Sequence, residues 1–391
     1  MTTGTLQLDL SLHPDDLAPL MRLPGIVRAG TRVRPSAVQI VWHDTPDAAL
    51  AADGLALAER RQGRQTRWRL ERVLPNGAQP WPPGAPPAVI AEADDPQSLD
   101  APLPHPLLPL AAFEGQIRAV DDNGLNVCVL SGELRAVARA RPVCRVLVSG
   151  AADAVAPFVR ETAQTLRLAV PPSALACEAF GTARPPVPAR RSGAPALNAH
   201  QSVSEAFAFV VAHLADVMLY QAAHIVARVP GPEPVHQMRV ALRRLRSASK
   251  LFGKAVTCPE LQAVAAELKS LGQVLGPARD WDVFTAGAAA SVASVIPDHA
   301  AIERLVQLSG RRRDAAYATL IAYLEGAAFR QLGLSLATLA AIRPWERPEQ
   351  PSEQAAEQQT AEQPDRQTEA AEPEPDLRAF AARALRKRWD R

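Results

Sequence analysis

Residues 235–252 run from Pro234 to Gly253 without a single Gly, Pro, Asp or Glu. Upstream, Pro230, Pro232 and Pro234 interrupt whatever precedes them, so the run reads as one helix of about five turns. At about 100° per residue, His236, Arg239, Arg243, Arg246 and Lys250 fall within an arc of roughly 80°. Met238, Ala241, Leu242, Leu245 and Phe252 take a different face and point toward a core. No carboxylate occurs between Glu233 and Glu260, which leaves these cations without local partners. A solvated surface helix ordinarily mixes signs at i,i+4. An unmixed ridge dominated by Arg, whose planar fork suits phosphate oxygens, points to a polyanion.

That basic character is local. Over 391 residues, 43 Lys and Arg face 41 Asp and Glu, a net charge of +2. The cysteines (Cys128, Cys144, Cys177, Cys258) are scattered, without C-x-x-C spacing or a neighbouring His cluster. This argues against a zinc site or a disulfide framework and fits a reducing compartment. The N-terminus lacks a basic and apolar leader, and no stretch of about 18 apolar residues stands out. The expectation is a cytoplasmic chain, off the membrane and without cofactor.

Prolines gather in three places and divide the chain. Over 1–183, segments 6–12, 38–42, 66–73, 111–120, 125–130 and 143–148 read as strands, and 14–23 and 157–168 as helices. This predicts an antiparallel β barrel or sheet. Residues 74–109, with eight-residue Pro80–Pro87 at their heart, read as a surface excursion. Residues 184–199 are a Pro-rich linker. Helices are expected over 202–228, 235–252 and 261–275, making an all-α module of 200–343. Gly276-Pro277 is expected to end the third helix and start a fourth, with Asp280 and Asp282 in its first turn, where carboxylates favour the dipole and can pair with arginines of the basic helix. A further helix should begin at Asp298 and carry Arg304, Arg311, Arg312 and Arg313 toward Arg343. Residues 344–376, rich in Glu, Gln, Pro and Ala, are expected to be disordered, and 377–391 to form a basic helix. The class is α+β and multidomain.

The run Val235-His-Gln-Met-Arg-Val-Ala-Leu-Arg-Arg-Leu-Arg246, continued to Lys250-Leu-Phe252, closely resembles the signature helix of CHAD domains, the conserved-histidine α-helical domains implicated in inorganic polyphosphate binding. Residues 268–284, with Leu275-Gly-Pro-Ala-Arg-Asp-Trp-Asp-Val283, resemble the next motif of that family. The resemblance implies that His236, Arg239, Arg243, Arg246 and Lys250 contact phosphates, with Lys269 and Arg279 as helpers and Arg244, Arg311 and Arg312 as further candidates. It also implies two similar helical halves. The second signature does not occur here, so the expectation is a first half alone, either a truncated chain or one in which a homodimer replaces the internal pair.

Trp42-His-Asp-Thr-Pro-Asp47, followed by Leu50 and Gly54-Leu-Ala-Leu57, resembles a block of CYTH domains, triphosphate-tunnel barrels that often precede CHAD domains. Their chemistry needs acidic residues for a divalent metal and basic residues for phosphates. At the family's positions this chain has Gln7, Asp9 and Ser11, then Ala58 and Arg60 flanking Glu59, then Arg145 and Leu147, and Cys177 where a lysine is expected. Asp44, Thr45 and Asp47 read as a turn. The expectation is a retained fold without catalysis or bound metal. The function expected is non-catalytic binding of inorganic polyphosphate, with recruitment to polyphosphate granules and strengthening when His236 is protonated. The alternatives are metal-dependent triphosphate or polyphosphate hydrolysis in the β domain, and nucleic-acid binding. The basic face carries no aromatics for base stacking, which disfavours the latter.

Overall fold

The computed structural model describes residues 4–24, 26, 34–74, 81–122, 124–136, 139–183, 194–253, 255–296, 299–346 and 376–389. The strands are β1 (Thr5–Leu12), β2 (Ser36–Asp44), β3 (Leu55–Gln62), β4 (Gln65–Arg72), β5 (Ala88–Ala93), β6 (Leu108–Asp122), β7 (Leu125–Ala136), β8 (Arg139–Ala151) and β9 (Leu168–Ala169). They form one sheet in the order β5-β4-β3-β2-β6-β7-β8-β1-β9. Every described pairing is antiparallel. Among the described residues β5 and β9 pair on one side only, so the expected barrel or sheet is an open sheet. The excursion expected over 74–109 contains an edge strand, β5, which pairs with β4 across a register shift at Leu70/Glu71.

Alternation along β1 sorts the two faces. Leu6, Leu8, Leu10 and Leu12 are buried with Val127, Val129, Val146 and Val148, and α3 (Ala152–Thr165) packs there through Val155 and Val159. Gln7, Asp9 and Ser11 occupy the opposite face. There α4 (Leu175–Ala183) sets Leu175, Ala176, Ala179 and Phe180 against Trp42, Phe113, Leu134 and Val143. The short helices α1 (Leu17–Leu20) and α2 (Ala49–Ala52) complete this half. The Asp44 carboxylate is fully buried and accepts from the N–H groups of Thr45 (2.7 Å), Leu50 (2.9 Å) and Ala51 (3.1 Å). The turn expected at Asp44-Thr45 is therefore a device that anchors α2.

The helical half comprises α5 (Val203–Val226), α6 (Glu233–Phe252), α7 (Pro259–Phe284), a π-helical turn (Thr285–Ala289), α8 (Ala290–Val295), α9 (Ala300–Glu325), α10 (Ala327–Ile342) and α11 (Leu377–Trp389). A capping box starts α5: Ser202 Oγ accepts from the Glu205 N–H, and the Glu205 carboxylate accepts from the Ser202 N–H. By length and composition α5 is apolar enough to cross a membrane, and 78% of its most apolar window is buried in this core. Phe207 of α5 meets Phe252 of α6 (5.3 Å between ring centres) and Trp345 (5.0 Å), while Phe380 of α11 stacks on Phe252 (5.1 Å). Each such ring pair adds about 0.5–1.5 kcal/mol beyond its buried area.

Three expectations change. First, α7 does not stop at Gly276-Pro277 but runs unbroken through it. A mid-helix proline costs about 3 kcal/mol, and burial of Leu268, Leu271, Leu275 and Ala278 on both sides of it offsets that cost. Asp280 and Asp282 therefore lie in the last turns of α7, not in a first turn. Second, the two halves share one apolar core. Leu8, Val155 and Val170 of the first belong to the same cluster as Leu219, Leu334 and Leu339 of the second. Gly333 lets α10 and α5 pack closely within the helical half, since a Cβ there would lie 3.2 Å from Leu219 Cδ2. Third, residues 344–346 form a 3-10 turn, with Trp345 Nε1 donating to Ser204 Oγ (2.8 Å), and Asp376 bridges Ser202. The expected linker at 184–193 and the expected disordered stretch at 347–375 lie outside the described residues.

Candidate functional site

The apolar face of α6 is buried as its periodicity requires: Val235, Met238, Ala241, Leu242, Leu245 and Phe252. That fixes the opposite face outward, where Arg239, Arg243, Arg246 and Lys250 are exposed. Alongside, α7 presents Lys269, Gly272 and Gln273. The two helices enclose a groove of about 590 Å³ lined by Arg239, Leu242, Arg243, Arg246, Ser247, Lys250, Lys269, Gly272, Gln273 and Leu275. Its floor is apolar, its walls carry five cations, and no aromatic side chain lines it.

Two glycines one turn apart on α7 make room for the guanidinium groups. A Cβ on Gly276 would lie 3.3 Å from Arg239 Nη1, and one on Gly272 would lie 3.8 Å from Arg246 Nη1 and 3.5 Å from Leu242 Cδ2. Arg239 has one carboxylate in reach, Asp280 of α7 at 3.9 Å, with both side chains largely exposed. The α6 ridge has no partner in its own stretch of sequence, and at Arg239 it meets Asp280, one of the acidic pair expected to reach the basic helix. Among the described residues, Arg243, Arg246, Lys250 and Lys269 meet no carboxylate within ion-pair distance.

Other expected contacts lie elsewhere. His236 shares the α6 face but is half-buried and outside the groove lining. Arg244 is half-buried on another side of α6, roughly 140° from Arg239. Arg279 is half-buried and does not line the groove, and Arg311 and Arg312 are exposed on α9. Ser247 and Gln273 line the groove without having been anticipated; their only sequence signal was spacing of 247 from Arg243 and of 273 from Lys269 by one turn. Asp282 is 2% exposed and accepts from Arg313 Nε (2.6 Å) and Tyr317 Oη (2.8 Å) of α9. Burial and the bond to Asp282 push the Tyr317 hydroxyl up to about 12, which keeps it a donor. Asp282 of the second motif therefore fastens α7, the rear wall of the groove, to α9, while Asp280 faces Arg239 of α6.

In the β half, the position expected for metal ligands is filled by a guanidinium. Arg145 is 4% exposed. Its Nη2 donates to Asp9 Oδ2 (3.1 Å) and to the Ser173 carbonyl (3.0 Å), and its Nη1 donates to Glu178 Oε1 (3.5 Å). Glu178 also accepts from Arg141. Burial pushes the Asp9 carboxyl above its usual range against the opposing pull of Arg145. A hard divalent ion needs several oxygen ligands of its own. Asp9 and Glu178 are both engaged by Arg145, so these residues do not fit the metal that the CYTH resemblance implies. Cys177, at the expected lysine position, directs Sγ at the Val73 carbonyl (3.7 Å).

Comparison with known proteins gives one family match and several slight structural likenesses. The CHAD domain family matches residues 210–391. The chain is similar to the CHAD domain from the plant Ricinus communis, at 31% identity and a TM-score of 0.34, over 39% of this chain and 50% of that one. It thus spans half the length of that structure. A candidate adenylyl cyclase from Hippeastrum, described as having a dominant triphosphatase activity, is 12% identical with a TM-score of 0.30, over 40% of this chain and 87% of that one. A candidate adenylate cyclase from Bacillus halodurans is also 12% identical, with a TM-score of 0.25, over 41% and 90%. No curated protein matches the chain. An antiparallel nine-stranded sheet is thus followed by a helical half that matches the CHAD domain family over residues 210–391 and whose basic helix forms one wall of an open cationic groove.

Proposed function

We propose that the α6/α7 groove binds inorganic polyphosphate without catalysis. The observation that carries this reading is the groove itself: five cations converge on one open trough, and four of them have no carboxylate partner among the described residues. Arg and Lys donors of this kind grip phosphate oxygens through charge-assisted hydrogen bonds and release of counterions. Association with polyphosphate granules is the cellular consequence.

Lack of aromatic groups in the groove supports a phosphate chain over a single-stranded nucleic acid, whose bases need stacking platforms. Competition between polyphosphate and single-stranded RNA at one salt concentration tests this. RNA displacing polyphosphate at equal phosphate concentration would defeat the reading. The ion pairs of Arg145 support the absence of hydrolysis in the β half. Phosphate release from tripolyphosphate in the presence of Mg²⁺ or Mn²⁺ would contradict it. Self-association belongs to the same reading: seven exposed large apolar side chains, Val283, Val292, Val295, Ile296, Leu305, Val306 and Leu308, fall within residues 283–308. Light scattering that shows a monomer at high concentration would remove this part.

A further inference from the structure

The Arg145 site has the form of a cation site with the cation built into the chain. Three oxygen acceptors converge on a single positive group of β8: Asp9 from β1, Glu178 from α4, and the Ser173 carbonyl from the segment leading into α4. The arrangement satisfies charge better than it satisfies hydrogen-bond geometry, because Arg145 Nε is buried with no partner. A side chain placed only for its hydrogen bonds would not leave a buried donor unused. Register explains how the group reaches the site. Arg145 pairs with Ser11 and Leu147 with Asp9 on neighbouring strands, so Arg145 and Asp9 project from the same face of the sheet, toward α4.

We propose that Arg145 is the resident cation of the β half: its guanidinium joins Asp9, Glu178 and the Ser173 carbonyl as a divalent ion would, excludes metal from the interior, and makes this half of the fold independent of metal. Removing the guanidinium leaves Asp9 without its cation and Glu178 with Arg141, two mostly buried carboxylates facing each other. That is unfavourable without a replacement cation, and it opens the site to one.

The test is calorimetric melting of the full chain in EDTA, in millimolar Mn²⁺, and in Na⁺ at matched ionic strength. Wild type is expected to melt at one temperature in all three. R145A is expected to melt lower by about 4–6 °C in EDTA, to regain at least half of that loss in Mn²⁺, and to regain none in Na⁺. R145M, which keeps the aliphatic stem, serves with the same expectations where R145A does not fold. Stabilisation of wild type by Mn²⁺ that D9N abolishes would overturn the proposal and needs no Arg145 variant. A variant as stable as wild type would overturn it too. So would a loss that Mn²⁺ does not relieve, since Arg145 would then be an anchor and not a substitute for metal.

Discussion

Replacing Asp282 by Ala removes the carboxylate that ties α7, the groove's rear helix, to α9. The Asp282 side chain is 1% exposed and receives two hydrogen bonds, one from a guanidinium that is 33% exposed and one from a phenol. Breaking a buried ion pair by removing one member costs about 3–5 kcal/mol, and the partial exposure of Arg313 brings the expectation to about 3 kcal/mol. For a chain of this size that corresponds to a Tm fall of roughly 4 °C. D282N keeps the shape and one acceptor but not the charge, and is expected to lose about half as much. The pair also sets a pH limit. The Tyr317 pKa is raised in the fold, so its contribution is complete below about 10 and is lost as pH climbs through about 12. The assay is thermal melting followed by circular dichroism, at neutral pH and in a series to alkaline pH. D282A melting within a degree of wild type would refute the argument that this carboxylate holds α7 on α9.

Further outcomes follow from the groove and from the β half. With four unpaired cations in the groove, log K for polyphosphate should fall against log salt with a slope of about −2.8, taking about 0.7 per charge for a flexible polyanion, or about 50-fold between 50 and 200 mM; a flat titration would exclude the groove. Gly276→Val pushes a branched side chain into Arg239 and should weaken polyphosphate binding severalfold while the melting temperature stays within a few degrees; unchanged affinity would show that the glycines do not shape the site. Asp16 is held at a pKa of about 2 by its bonds to Arg167, so this pair stabilises the fold above the usual Asp range and ceases to do so as pH falls through about 2. D16N should therefore melt lower than wild type at neutral pH, with the gap closing in acid.

What the sequence disclosed and what it hid divide along physical lines. The α6 ridge was legible because a helix period and an unmixed sign are local properties, and burial of Met238, Leu242 and Leu245 set the exposed face. The rear wall was not, because Pro277 reads locally as a breaker and only packing on both sides of it carries α7 through to Asp282. Arg313 stands 31 residues from Asp282, so no local spacing could pair them. Arg279, Arg311 and Arg312 were chosen by residue type, whereas the direction a side chain faces is decided by tertiary packing. Arg145 was legible as a departure from an expected acidic pattern. Its partner Glu178 was not, because the helix that presents it, α4, had no recognisable start or stop signal. Strand β5 was masked by the prolines around it.

The most direct measurement is the affinity of the full chain for labelled linear polyphosphate, read by fluorescence anisotropy for wild type, R243E/R246E and R311E/R312E. Both variants change net charge equally, so a non-specific electrostatic attraction would weaken them alike. The account predicts a loss of at least about 100-fold for R243E/R246E and little change for R311E/R312E, with both as stable as wild type. Equal losses in the two, or undiminished binding by R243E/R246E, would contradict it.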